Sequence, residues 1–359
     1  MRGALVGEKK NLVIVGYYGF GNLGDEAIRM ALGTALNDCD GLQPIWLVAR
    51  PHEPNEVSRA HPLATFTALH RSSALLFGGG GLLQNRTSNR SLFYYLSLIL
   101  LGRSLHRPVF LLGQGIGPIH GPFARALTRF ALSRVQHIGC RDQGSLDLLQ
   151  RIGRNGKLDG DLFFLTPPWK GDVKKTWDDR VRIVLSLKGM QAAKETTVER
   201  LVELLEGLHA KGEASFTFLP FFPAEDHPLA ESITQRLTFP CRIVLPASVE
   251  GASAEIARAD LLISSRLHPL EFALRTGTPL LAISEDPKID RFIEEVQSHG
   301  GPSILHTASP SIEEVRSLLD YPPDREALRG TYRRMHEETR AAVAAFLERL
   351  NTILWRVDD

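Results

Sequence analysis

The sequence predicts an α/β protein built on parallel sheets and divided into two domains. Three observations lead there. Apolar runs of four to six residues without polar alternation recur along the chain, the pattern of strands buried on both faces. Glycine-rich or polar turns and helical patterns follow them, and repeated strand–helix alternation makes parallel sheets. The charge is also split: residues 1–168 carry 18 Lys+Arg against 11 Asp+Glu, residues 169–359 carry 24 against 30. A net charge of +1 thus hides a basic and an acidic half, and 359 residues suffice for two cores.

The strands expected in the first half are Leu12–Val15, Ile45–Val48, Ala74–Phe77, Val109–Leu112 and His137–Cys140. Those of the second are Arg182–Leu185, Phe216–Leu219, Ile243–Leu245, Leu261–Ile263 and Leu280–Ile283. Helical patterns lie between them, among them Asp25–Leu36, Leu92–Leu105, Val198–Leu208 and Leu267–Arg275. Proline and glycine punctuate Thr166–Asp172, the expected hinge. A long helix from about Asp324 to Leu354 has no strand after it and could fold back to brace both halves. The expected division is therefore 1–168, 169–323 and a helical segment 324–359.

Composition narrows the class. With 43% hydrophobic and 23% charged residues the chain is neither collagen-like, disordered nor disulfide-stapled. Cys39, Cys140 and Cys241 are widely spaced and odd in number, which fits a reducing compartment. No leader pattern opens the sequence, and Leu92–Leu101 is far short of the roughly 20 residues that span a bilayer. A cytoplasmic protein is expected. The basic half implies an anionic partner, with Arg125, Arg129, Arg134, Arg141, Arg151, Arg154 and Lys157 crowding one stretch. Six tyrosines and no recognition-helix signature argue against nucleic acid and for a phosphorylated substrate or an anionic membrane surface. The run Arg86–Arg107 reads either as a core helix with solvated ends or as a helix resting on the inner membrane leaflet. The twelve histidines form no His-x-x-x-His pair and the cysteines no Cys-x-x-Cys, so no metal is expected.

Four motifs carry chemistry. Gly16–Glu26 places Gly19, Gly21 and Gly24 after the first strand, as a dinucleotide fingerprint would. Asp25 and Glu26, however, stand where a pyrophosphate would dock and would repel it. The loop is then either a helix start with its acids favourably placed on the dipole, or a sugar-binding loop using Asn22, Asp25 and Glu26. Gly78-Gly79-Gly80-Gly81, followed by Gln84, bares the backbone at a strand end, and Gly113-Gln114-Gly115 repeats the design one strand later. In the second half Ser265-Arg266-Leu267-His268-Pro269 brings Arg266 and His268 to a strand end as a helix begins. Lys288 lies one strand further on, and Arg141 ends the strand His137–Cys140.

On these residues the chain resembles the polysaccharide pyruvyl transferase family, particularly its bacterial CsaB type. The marks are Gly16–Glu26, Gly78–Gln84, Gln114–Pro118, Arg141-Asp142-Gln143-Gly144-Ser145, Ser265–His268 and Lys288. The resemblance implies two Rossmann-like domains facing across a cleft in a GT-B-like architecture, the basic first domain on the acceptor side. It implies phosphoenolpyruvate as co-substrate, with no other cofactor. The acceptor would be a sugar such as N-acetylmannosamine on a lipid-linked cell-wall polysaccharide precursor, of the kind used in S-layer anchoring, and the product a 4,6-pyruvate ketal. Contact with the inner face of the membrane would follow from such an acceptor. The donor residues of the family map to Arg141, His268 and Lys288.

The chemistry suits those residues. Phosphoenolpyruvate is a polyanion that needs cations, and the arginine fork matches carboxylate and phosphate. A histidine beside it is held charged and can protonate the methylene carbon, the role expected of His268. Arg141, Arg266 and Lys288 would stabilise departing phosphate, and Asp25, Glu26 or Asp226 would take the sugar proton. Pro269 stands where a helix former is expected, in a first turn that tolerates it. Two alternatives remain: a GT-B glycosyltransferase with a nucleotide-sugar donor, disfavoured by the lack of an obvious acidic ribose hook, and a non-catalytic glycan-binding protein.

Overall fold

In a computed structural model describing residues 9–86, 88–171, 180–189, 195–210, 214–284 and 286–355, the non-alternating apolar runs become strands covered on both faces. Leu12, Val13, Ile14 and Val15 are at most 1% exposed, and every residue of Ala74–Gly78 is buried. The chain divides into two compact units. The first takes the residues up to Phe20, Asp25–Thr166 and those from Glu337; the second takes Gly21–Gly24 and Pro167–His336. Asp172, at the end of the expected hinge, lies outside the described residues.

The first unit contains β1 (Lys10–Tyr18), β2 (Leu42–Val48), β3 (Glu56–Ser58), β4 (Ala74–Gly78), β5 (Val109–Gln114), β6 (His137–Cys140) and β7 (Lys157–Leu158). All pair in parallel, in the order β3-β2-β1-β4-β5-β6-β7. Crossovers are made through α1 (Leu23–Asn37), α2 (Pro62–Arg71), α3 (Asn89–Ser104), α4 (Pro122–Ala131) and α5 (Gln143–Arg151). Helix α3 settles the two readings of Arg86–Arg107. It buries Leu92, Tyr95, Leu96, Leu98 and Ile99 in the core with Leu75, Phe77 and Leu111, and none of its apolar side chains is exposed. It is a core helix and has no apolar face to lay on a membrane. No described helix is long and apolar enough to cross one.

The second unit contains β8 (Val181–Ser186), β9 (Ala214–Phe218), β10 (Arg242–Ile243), β11 (Leu261–Ser264), β12 (Leu280–Ile283) and β13 (Leu305–Thr307), parallel in the order β10-β9-β8-β11-β12-β13. Its helices are α6 (Glu195–His209), α7 (Pro223–Thr234), α8 (Val249–Ala257), α9 (Leu267–Thr276), α10 (Pro287–Ser298) and α11 (Ile312–Asp320). The strand expected at Ile243–Leu245 is shifted to Arg242–Ile243, because Leu245 turns out to solvent at 52% exposure.

The final helix, α12 (Arg325–Leu354), is shared between the units: residues up to His336 belong with the second, those from Glu337 with the first. In the second unit Arg329 Nε donates to Thr276 O (2.9 Å) and Arg334 Nε to His299 O (2.7 Å). In the first, Phe346 meets Phe110 edge-on at 5.8 Å, and Arg349 donates to Gln136 O (3.0 Å).

Strand order fixes where ligands can bind. In the first sheet the chain lays β2 and β3 on one side of β1, then restarts on the other side with β4. In the second sheet the same reversal separates β8 from β11. At such a switch point the connections diverge and leave a crevice beyond the carboxyl ends of the strands.

Candidate active site

In the first unit the crevice at β1 and β4 is walled by bare backbone. Gly79 and Gly80 both take φ of +76°, a conformation L side chains rarely adopt. Their carbonyls are held from β5 and the loop after it: Gln114 Nε2 donates to Gly79 O (2.7 Å), and Gly115 N to Gly80 O (2.8 Å). Gln114 is fully buried, and its Oε1 has no hydrogen-bond partner among the described residues. Gln84 Oε1 turns back to cap Arg86 N (2.7 Å). The phenol of Tyr18, at the end of β1, donates to Gly78 O. Burial, and then the charges of Asp25 and Glu26, hold that phenol well above its ordinary pKa of 10, so it remains a donor.

The three residues read as a sugar-binding loop do different things. Asp25 is buried, and a Cβ on Gly80 would sit 3.3 Å from its Oδ1, so this carboxylate faces the glycine loop. Glu26 is turned inward: Oε1 accepts from Gly19 N (2.7 Å) and fixes the loop, while burial raises its pKa. Asn22, grouped with the second unit, makes an Asx turn by accepting from Gly24 N (3.2 Å).

Arg141 follows β6 and is 6% exposed. Its Nε lies 3.1 Å from Asp142 Oδ2 and 3.5 Å from Asp161 Oδ2. Asp142 also caps α5, accepting from Ser145 N (2.8 Å) and Ser145 Oγ (3.0 Å), and that hydroxyl accepts from Ile116 N (2.9 Å). A Cβ on Gly115 would stand 3.1 Å from the Arg141 guanidinium, so glycine there leaves room for the cation. A buried arginine between two carboxylates is fixed in place, its planar fork matched to carboxylate oxygens.

In the second unit the switch point is stitched by serines. Ser264 Oγ donates to Ser186 O (2.8 Å), and Lys188 N donates to Ser265 Oγ (2.8 Å). Arg266 is the N-cap of α9 and His268 stands in its first turn. Arg266 Nη2 donates to Asp226 Oδ1 (2.5 Å) and Glu225 Oε2 (2.9 Å), while its buried Nε has no partner among the described residues. Asp226, 2% exposed, also receives Gly189 N (2.9 Å) and Phe222 N (2.9 Å). Asp226, expected on the acceptor side, is thus a buried carboxylate that accepts from three donors and anchors Arg266. Lys288 lies in the first turn of α10, with Nζ 3.8 Å from Asp286 Oδ2 and a side chain 43% exposed.

Sequence reading missed two acids. Asp161 lies against Arg141, and Glu271, 1% exposed, offers an oxygen within 4.8 Å of a His268 ring nitrogen. The i, i+3 spacing of His268 and Glu271 on a helix was a usable signal. Gly24 also matters: a Cβ there would lie 1.9 Å from His268 Nδ1, so only glycine gives this ring its place.

A family model described as polysaccharide pyruvyl transferase matches residues 22–287. The chain belongs to the polysaccharide pyruvyl transferase family. The matched span runs from Asn22 to Pro287 and stops one residue short of Lys288. No curated protein matches the chain in sequence. Among solved structures, this pyruvyl transferase is similar to a complex of S. aureus MnaA with UDP (TM-score 0.65, 14% identity, 98% of each chain). It is also similar to a UDP-GlcNAc 2-epimerase from Neisseria meningitidis bound to UDP-GlcNAc (0.57, 14%, 94% of this chain and 100% of the other). A third is the spinosyn rhamnosyltransferase SpnG (0.53, 14%, 95% and 100%). At these identities the likeness establishes the fold alone, two parallel-sheet α/β domains of the GT-B type.

Proposed function

We propose that the protein is a phosphoenolpyruvate-dependent, ketal-forming pyruvyl transferase of the CsaB type, working in the cytoplasm. Its acceptor is N-acetylmannosamine of a lipid-linked cell-wall polysaccharide precursor of the kind that anchors S-layers. Arg141, Arg266 and Lys288 bind the donor, His268 is the general acid, and Asp25 with the glycine loops bearing Gly79, Gly80, Gln84 and Gln114 meets the sugar. The observation that carries the reading is the pairing at the start of α9: Arg266, anchored by buried Asp226 and with its Nε unpartnered among the described residues, stands two residues before His268. A cation with donors to spare beside a titratable ring suits a small polyanion that must be protonated on carbon.

In this reaction a ring N–H of His268 gives its proton to the methylene carbon, making a methyl group, as a sugar hydroxyl oxygen bonds to the central carbon and passes its own proton to a base, which leaves His268 to be reprotonated before the next turnover. The C–O bond to phosphate then breaks, the electron pair leaving with phosphate toward the cations. The second hydroxyl bonds to the same carbon and its proton departs to a base, giving ketal and inorganic phosphate. The N-terminus of α9 disfavours a charged imidazole. Buried Glu271 and the bound polyanion favour it.

The test is incubation with phosphoenolpyruvate and a synthetic N-acetylmannosamine acceptor, following phosphate release and the pyruvyl mass gain. A nucleotide-sugar donor is the second reading, favoured by the UDP named for the MnaA complex. UDP release from a UDP-sugar, with none of phosphate from phosphoenolpyruvate, would establish it instead.

A further inference from the structure

Helix α4 carries Phe123 and Phe130 seven residues apart, hence one above the other along the helix. They are 70% and 59% exposed. Arg125 and Arg129, four apart, form a second row on the same exposed side of the helix, with exposed Ala126 between the two rows. Across a groove of about 540 Å³, Arg151 and Arg154 rise from the end of α5. Glycine keeps that groove open at Gly153, where φ is +74° and a Cβ would stand 3.3 Å from the Arg129 guanidinium.

These guanidinium groups are tethered by neutral main-chain oxygens. Arg125 Nε donates to Ile119 O (2.9 Å), and Arg154 Nε to Arg129 O (2.8 Å). Arg103 donates to Phe130 O (2.7 Å) and lies 5.2 Å over the Phe130 ring, holding it at the surface. Among the described residues, none of Arg103, Arg125, Arg129, Arg134, Arg151 and Arg154 has a carboxylate in ion-pair reach. Burial, and then the charges of Arg134 and Arg154, lower the pKa of Arg103, a sign of crowded like charge. A cluster of cations left without anions of its own is matched by an external one.

The geometry points to this face of α4 and the end of α5 as a docking surface for an anionic phospholipid bilayer. Headgroup phosphates satisfy the arginine row, and the two rings enter the headgroup–acyl boundary beside it. Two parallel rows, one cationic and one apolar, suit a plane. A polynucleotide would leave the ring row unused. The surface is separate from every residue assigned to the reaction, so it stands or falls independently of the proposed chemistry.

Co-sedimentation of the full chain with vesicles tests it. Phosphatidylcholine vesicles containing phosphatidylglycerol should pull the protein down at low salt, and pure phosphatidylcholine vesicles should not. Arg129→Ala with Arg151→Ala should weaken binding about 25-fold, at about five-fold per arginine. Phe123→Ser with Phe130→Ser should abolish whatever binding survives high salt. Arg151→Glu alone, at an exposed position, guards against a folding defect, and thermal melts of each variant should match the parent. The proposal is overturned by recovery no better than with neutral vesicles, by arginine variants that bind like the parent, or by arginine-dependent binding of a single-stranded oligonucleotide without binding of vesicles.

Discussion

Asp226 receives Arg266 Nη2 and Gly189 N on one oxygen and Phe222 N on the other. One buried carboxylate therefore ties the loop after β8 and the start of α7 to the N-cap of α9. Replacing it strands all three donors. Asp226→Ala should cost about 3–5 kcal/mol, as loss of one partner of a buried pair does, read from the urea midpoint. Asp226→Asn keeps an acceptor and should cost less, while raising KM for phosphoenolpyruvate more than it lowers kcat. An alanine variant as stable as the parent would refute the anchor role.

Gly24→Ala should act on His268. The added carbon would overlap the ring at 1.9 Å, and a half-buried ring can swing away but not stay. Phosphate release should fall about tenfold or more, with the melting temperature little changed. Gly33→Ala, whose Cβ would meet only Trp46 at 3.5 Å, serves as the control and should be active. Equal activity in the two variants would break the link.

Glu271→Gln should move a pH profile. A buried carboxylate near His268 favours the protonated ring, and a general acid is active only while protonated. Without that charge, the high-pH limb of kcat should shift to lower pH, while urea stability falls modestly. A limb that does not move would reduce Glu271 to a packing role.

Glu26 makes a prediction about stability alone. Burial, the largest influence, raises its pKa in the folded state above the ordinary 4.5. Between those values the folded chain holds more protons than the unfolded one, so this group's contribution to stability falls as pH rises. Glu26→Gln keeps an oxygen for Gly19 N without the buried charge. Relative to the variant, the parent should lose stability on going from acid pH up through the raised pKa. A difference that is flat with pH, or grows in the parent's favour, would contradict it.

Much of this was legible in the sequence for a definite reason. Runs such as Leu12–Val15 and Leu261–Ile263 are buried on both faces and therefore cannot alternate. The strands that escaped notice, β3 at Glu56–Ser58, β7 at Lys157–Leu158 and β13 at Leu305–Thr307, lie at sheet edges and are too short and too exposed to leave such a run. Motif positions were legible because glycines and cations gather at strand ends. What each acid holds was not. Asp226 and Arg266 are 40 residues apart in sequence, and a hydrogen bond between distant loops imprints no period on the chain. Nor was the bond from Gly19 N to Glu26 legible, because nothing local says where that carboxylate's oxygen is held.

The divided last helix also sets the order of assembly on the ribosome. Phe110 and His137 are covered by Phe346, and Gln136 is held by Arg349, all within the first unit. A nascent chain that has reached Thr166 has made the whole first sheet yet lacks the segment that seals it. That sheet must wait, with an aromatic flank bare, until the second unit has been translated. Chaperone dependence and early proteolysis should therefore concentrate on the half that is synthesised first.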